Sequence, residues 1–315
     1  PDRSFFECFS CGTEFRICFG GQKKAYTARY FLEEYRQQYG KTYVEDFHKI
    51  RGEGKKRLQV LKERLSACRT ISPGSPVKTY GPFYRYAKRY SPGGTFDRGS
   101  TSDSEGREYL RGKTILDVGC ALGPFLDAAR EEGMVPYGID LSEDAVQYVE
   151  EKLGIPARVA DVDEFDPIKA FGVESFDVVS LWYVIEHLPR VGLVLERVRA
   201  MLREGGWLMF STPNGKGISS LHSPRLFREQ SPLDHVTIWN VTQAKRILKK
   251  YGFWVRAVRI PSHHPERFPP LVRTLIGSKG CALLERLFQL GDTFEVYAQK
   301  IDNDSRGRAV ADSCH

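Results

Sequence analysis

Long apolar runs are missing from this 315-residue chain. No stretch approaches the ~20 consecutive apolar residues of a membrane-spanning helix. The opening Pro1-Asp-Arg-Ser-Phe-Phe6 lacks the basic-then-apolar layout of a secretory leader and carries no Met, so an upstream start and a cytoplasmic location are the expectation. A paired disulfide framework is also missing. The seven cysteines (Cys8, Cys11, Cys18, Cys68, Cys120, Cys281, Cys314) are scattered, which fits free thiols in a reducing compartment. No internal repeat and no nucleic-acid or peptide-recognition module can be found.

A uniform charge is lacking too. Residues 1–112 hold 22 Lys/Arg against 13 Asp/Glu, whereas the remainder holds 25 against 27. The net +7 therefore belongs to the N-terminal third, where it reads as a solvated face. The near-neutral remainder gives nucleic acid no reason to bind and favours a small-molecule partner.

Four segments separate by composition. Residues 1–68 form a cysteine-containing helical extension, with helices expected near 30–39 and 44–65 from Phe47, Ile50, Leu58, Leu61 and Leu65 at helical spacing. Residues 69–112 are rich in Ser, Gly, Pro, Tyr and Arg and read as a flexible linker or insertion. Residues 113–301 alternate strands and helices, and 302–315 read as a disordered tail. Strands are expected at 114–118, 135–139, 158–160, 176–181, 207–211, 254–260 and 294–299. Helices are expected at 125–132, 143–153, 193–202 and 242–251. That order predicts an α/β, Rossmann-like, seven-stranded, mostly parallel sheet with helices on both faces, plus the small N-terminal helical extension.

In such a sheet a ligand sits at the carboxyl ends of the strands, where strand order reverses. The first strand ends in Asp117-Val-Gly119-Cys120-Ala121-Leu-Gly123. The glycines permit a tight turn and close backbone approach, and the following helix offers free N–H groups. A dinucleotide site needs GxGxxG. Counting from Gly119 puts Ala121 and Pro124 at the second and third glycine positions, which disfavours a nicotinamide-dependent oxidoreductase. The second strand ends in Gly138-Ile-Asp140-Leu141-Ser142, placing an acid about 20 residues past the glycine turn, where it can accept hydrogen bonds from both ribose hydroxyls. The third ends in Ala160-Asp161-Val162. The fourth gives Phe176-Asp-Val-Val-Ser-Leu-Trp182, followed by Glu186-His187.

These segments together resemble the class I S-adenosylmethionine (SAM)-dependent methyltransferases of the type 11/12-like group. Motif I of that family is acidic-x-Gly-x-Gly-x-Gly, with Ala121 here in the middle position. The turn Leu202-Arg-Glu-Gly-Gly206 resembles the family's L-x-P-G-G, with Glu204 in place of Pro. The resemblance implies SAM as cosubstrate and a site of Asp117, Gly119, Cys120, Ala121, Gly123, Asp140, Leu141, Asp161, Val162 and Trp182. It implies that Asp117 lies by the methionine moiety, Asp140 on the ribose and Asp161 on the adenine amino group, with Leu141 and Val162 flanking the ring. A sulfonium donor leaves the protein to align an O or N acceptor and remove a proton. His187 and His235 are the candidate bases, with His263 and His264 less favoured. Quinone-biosynthesis relatives hold a divalent metal near this position; Glu186, His187, Asp234 and His235 are the comparable residues here, but one sequence cannot show that they converge. Cys8-x2-Cys11 with Cys18 resembles a degenerate zinc ribbon whose fourth ligand is replaced by Gly21, so no structural zinc is expected. A non-catalytic SAM-fold scaffold is the alternative reading. Residues 269–290 exceed a tight hairpin and carry enough apolar surface for a helical cover, either over the acceptor or packed on the sheet edge.

Overall fold

The computed structural model describes residues 3–9, 12–18, 30–69, 108–261 and 265–301. Cys11, His263, His264 and most of the expected linker lie outside them, as does the expected tail.

The chain opens with a hairpin, β1 (Arg3–Glu7) and β2 (Glu14–Cys18), where only helices were expected. A π-helical turn, Tyr30–Glu34, leads into α1 (Tyr35–Tyr39) and then the long α2 (Tyr43–Arg69). The start of α2 is set by a reciprocal cap. Thr42 Oγ1 accepts from the Glu45 N–H at 3.2 Å, and the Glu45 carboxylate accepts from the Thr42 N–H at 2.6 Å. The alternating region follows in the expected order: β3 (Thr114–Val118), α3 (Pro124–Glu131), β4 (Val135–Asp140), α4 (Glu143–Tyr148), β5 (Ala157–Val159), α5 (Pro167–Phe171), β6 (Phe176–Trp182), α6 (Val191–Met201) and β7 (Leu202–Pro213). Then come α7 (Ile218–His222), α8 (Pro224–Gln230), β8 (Thr237–Ile238), α9 (Val241–Lys250), β9 (Phe253–Arg259), α10 (Pro270–Phe288) and β10 (Thr293–Lys300). Local chemistry marks the helix starts: Pro124 and Pro167 sit in first turns, while Ser142, Asp166 and Asn240 cap α4, α5 and α9 through their side chains.

The main sheet has seven strands in the order β5-β4-β3-β6-β7-β10-β9. Its first five are parallel, and β10 inserts antiparallel between β7 and β9. Strand order reverses between β4, β3 and β6, so the carboxyl ends there form the crevice. Side chains alternate across the sheet. Leu116, Val179, Leu181, Leu208 and Phe210 meet Val194, Leu195 and Val198 of α6 and Ala244 and Leu248 of α9. On the opposite face Ile115, Val178, Trp207 and Met209 meet Phe125 and Ala128 of α3 and Leu58 and Leu61 of α2. Each fully buried leucine there contributes about 1.5–3 kcal/mol. The N-terminal helix α2 thus forms part of the layer that covers the sheet. The hairpin joins a second small sheet, β1-β2-β8.

Candidate functional site

The β3–α3 turn needs unusual backbone. Gly119 (φ 71°), Ala121 (φ 49°) and Gly123 (φ 77°) all occupy the left-handed region. A Cβ on Gly119 would meet Val184 Cγ2 at 2.5 Å, and one on Gly123 would meet Leu153 Cδ1 at 2.7 Å, so at either position a side chain would force its neighbours to shift and strain the backbone. Ala121 occupies a conformation that normally selects glycine and holds it at a steric cost of about 1–2 kcal/mol. A reason is visible at the tip of β4. Asp140 Oδ2 accepts from the Ala121 N–H at 2.8 Å and Oδ1 accepts from the Ser142 N–H at 2.9 Å, so one carboxylate ties two loops together. Burial raises the Asp140 pKa, and these backbone N–H groups offset part of that rise.

Asp117 ends β3 below this turn at 3% exposure. Its Oδ1 accepts from Ser180 Oγ at 2.7 Å. Burial pushes its pKa up to about 7, with Asp140 adding to the rise, while Ser180 and the Arg57 charge oppose it. Cys120 is buried, and burial drives its thiol well above the ordinary range, so it packs as a neutral group. Leu141 and Asp161 are exposed at the lip of the crevice and Val162 is buried beneath it. Asp161 Oδ1 accepts from the Asp163 N–H at 3.0 Å. Trp182, half-buried at the end of β6, packs edge-on against Phe125 and lies 4.0 Å under the Arg57 guanidinium.

Arg57 is a residue that sequence reasoning missed. It arrives from α2, and its Nε donates to Glu295 Oε1 at 2.9 Å. Trp182, Ser211, Glu295 and Arg259 stand in register across four strands, on one face at the carboxyl edge. Arg259 Nε lies 3.3 Å from Glu295 Oε2, and Tyr297 Oη donates to the same oxygen at 2.8 Å. A buried carboxylate therefore has two arginines and a phenol around it, the arrangement that makes such burial tolerable.

Beyond β6 the chain turns through Glu186-His187, and the loop after α8 returns Asp234-His235 to the same place. The His187 and His235 rings lie 4.7 Å apart, edge to face. His187 Nδ1 is 3.1 Å from the Asp234 carbonyl and 3.4 Å from its Oδ2, which assigns the proton to Nδ1 and leaves Nε2 as the accepting nitrogen. Glu186 is 1% exposed, and neither of its carboxylate oxygens has a hydrogen-bond partner among the described residues. Burial pushes its pKa up to about 8, Asp234 adds to the rise, and the neighbouring Thr212 side chain counters only part of it. Ligand atoms of Glu186, His187 and His235 all fall within 4.8 Å of one another. Of the four residues singled out from the sequence, these three converge, and Asp234 stands behind His187. Carboxylate and imidazole together are suited to a divalent transition metal. An orphaned buried carboxylate beside two imidazoles fits that use.

α10 packs through Cys281 with Ile218 and Phe268, next to the carboxyl end of β7, and bends at Gly277. Leu271 and Leu275 are 71% and 73% exposed.

Comparison with known proteins sets these features in context. Residues 102–258 match the family model described as a methyltransferase domain. A ubiquinone biosynthesis O-methyltransferase from Paraburkholderia xenovorans is 32% identical over 108 residues, covering 34% of this chain and 47% of that protein. One from Thiobacillus denitrificans is 33% identical over 117 residues, covering 36% of this chain and 50% of that protein. The chain thus spans about half the length of the curated relatives it matches. Among solved structures, a SAM-dependent methyltransferase from Archaeoglobus fulgidus superposes with a TM-score of 0.46 at 22% identity, covering 63% of this chain and 92% of that one. Magnesium protoporphyrin IX methyltransferase from Synechocystis gives 0.48 at 13% identity, covering 86% and 96% respectively.

Proposed function

The chain belongs, over residues 102–258, to the methyltransferase domain family, and from that premise we propose that it transfers a methyl group from SAM to a hydroxyl of a small-molecule acceptor. The observation that carries this reading is the turn Gly119–Gly123, bent through three left-handed residues beside buried Asp117 and tied to the ribose-side acid Asp140. On this reading the turn would offer its backbone N–H groups and two acids to the donor's methionine and ribose moieties. The sulfonium and ammonium of SAM bring positive charge to Asp117, whose carboxyl is poised near neutrality. Leu141, Asp161 and Val162 would line the adenine side, with Trp182 at the end of the neighbouring strand β6.

In the transfer an acceptor oxygen lone pair forms a bond to the methyl carbon as the carbon–sulfur bond breaks in line. S-adenosylhomocysteine leaves, and the acceptor's proton must go to a base. His187 and His235 lie past the ends of the strands, on the side where the acceptor would approach. Where no cation is bound, His187, oriented by Asp234, is the better placed of the two to take a proton on Nε2; a cation held there would use that same lone pair and take over the activation of the hydroxyl. Glu186, His187 and His235 would hold a divalent cation, which supplies Lewis-acid polarisation of an acceptor hydroxyl. With a cation bound, Glu186 would stay ionised despite its burial, and the two imidazoles would stay neutral. The oxygen acceptor is supported by the relatives' chemistry, since the curated proteins matched are O-methyltransferases.

Calorimetric titration with SAM and S-adenosylhomocysteine, followed by a labelled-methyl screen of cell extracts, tests the proposal. Binding of both and label in a small organic acceptor are expected. A protein that binds neither nucleoside would remove the reading.

A further inference from the structure

Among the described residues, the strands of the N-terminal hairpin belong to the small sheet β1-β2-β8 and not to the main one. The hairpin is nevertheless anchored, to elements between Arg228 and Gln243. β2 pairs antiparallel with β8, Glu14 opposite Ile238 and Phe15 opposite Thr237. The Arg16 N–H carries the ladder one step further, to the Val236 carbonyl at 2.9 Å. The Arg16 side chain, in a residue only 5% exposed, donates to the carbonyls of Ser231, at 3.2 Å, and Pro232. Glu14 takes both arms of Arg228 at 2.6 and 2.8 Å, and the Gln243 side-chain amide donates to the Gly12 carbonyl.

Of these contacts, the three made by Arg16 fall on residues 231–236, the loop that delivers Asp234 and His235. Pro232 has no N–H to give. The turn's own closing bond runs from the His235 N–H to the Pro232 carbonyl at 3.1 Å, the same oxygen that Arg16 holds. On its far side the Val236 N–H donates to the Glu186 carbonyl at 2.8 Å. Arg16 and Glu186 therefore grip the loop from opposite ends. A planar guanidinium on two successive carbonyls restrains rotation as well as position, which an ammonium cannot do.

We propose that Arg16 is a positioning residue for the candidate active site, holding residues 231–236 so that Asp234 and His235 face His187 and Glu186. The N-terminal hairpin is then a working part of that site. This rests on the reading of His187 and His235 as site residues given above.

The test compares full-length Arg16→Met and Arg16→Lys with the parent chain, using hydrogen exchange of the amides in 233–238, calorimetry with SAM, and Mn2+ binding followed by electron paramagnetic resonance. In Arg16→Met, exchange in 233–238 is expected to accelerate at least about tenfold, with a smaller change in Arg16→Lys. SAM affinity should stay within about twofold while Mn2+ affinity falls about tenfold or more. An arginine of purely structural value would instead lower both affinities together, which overturns the proposal. Unchanged exchange with unchanged Mn2+ affinity overturns it as well. If the parent chain takes up no Mn2+, the cation reading of Glu186, His187 and His235 fails, and hydrogen exchange alone decides the role of Arg16. Should Arg16→Met not fold, Arg16→Lys decides, because it keeps the charge and loses the fork. Parent-like exchange in that variant overturns the proposal.

Discussion

Asp117 has one hydroxyl partner, Ser180, and otherwise meets burial, which holds its carboxyl at about 7. In the unfolded chain it would ionise near the usual value of about 4. The folded state therefore retains the proton longer, and stability without ligand should fall as pH rises from about 4 to about 7 and then level off. A bound sulfonium reverses the balance by favouring the carboxylate. SAM should bind more tightly as pH rises through about 7, with proton release below it. Calorimetry at pH 6 in buffers of different ionisation enthalpy would show that release, and Asp117→Asn should abolish it. A pH-independent affinity in the parent would remove Asp117 from the donor site. Asp140 makes a different case, because both of its oxygens are already used to shape the turn. If Asp140 also holds the ribose, Asp140→Ala should weaken SAM and S-adenosylhomocysteine by about 1.5–3 kcal/mol or more, since the turn loses both of its ties as well. Parent-like affinity in that variant would assign the ribose elsewhere.

At the level of elements the glycine turn sets the sharpest expectation. Gly119→Ala puts a methyl 2.5 Å from Val184 Cγ2 in a left-handed residue, so SAM binding should collapse and the thermal midpoint should fall by several degrees. A scanning calorimeter trace matching the parent would show that the turn relaxes at no cost. The second expectation concerns α10. Replacing residues 269–290 with a short Gly-Ser turn should leave SAM binding intact and abolish methyl transfer if the helix covers the acceptor. Unimpaired turnover would make it edge packing. These elements were legible in the sequence for a local reason. Strand and helix periods, capping residues and the acidic residue after each strand act within a few positions of themselves, so 114–118, 135–139 and the turn between β3 and α3 could be placed directly. The β1–β2 hairpin could not, because its partner β8 lies more than 200 residues away and only two residues long. Arg57 on Glu295 is hidden for the same reason. An arginine on a helix reads as one more solvated charge until the fold places a buried carboxylate beneath it. The Glu186-His187 and Asp234-His235 pairs were visible as residues, whereas their approach to one another is a property of the returning loop.

Across the whole molecule, α2 and the far edge of the sheet depend on each other through the Arg57–Glu295 pair. Arg57→Met removes one of the charges that make Glu295 tolerable and should cost about 3–5 kcal/mol, read as a lowered urea midpoint. An unchanged midpoint would mean that Arg259 and Tyr297 satisfy Glu295 unaided. The insertion of β10 between β7 and β9 has a consequence in time. β9 leads β10 in the chain, yet it touches the rest of the sheet only through β10. While a ribosome is still making residues 260–292, β7 is an open edge and β9 has no strand to join. β10, made at about 5–20 residues each second, must join β7 before β9 has a place in the sheet. The sheet therefore closes from its interior outward, and a nascent chain halted before Thr293 carries a donor crevice whose neighbouring strands present unpaired backbone to any aggregation-prone segment nearby.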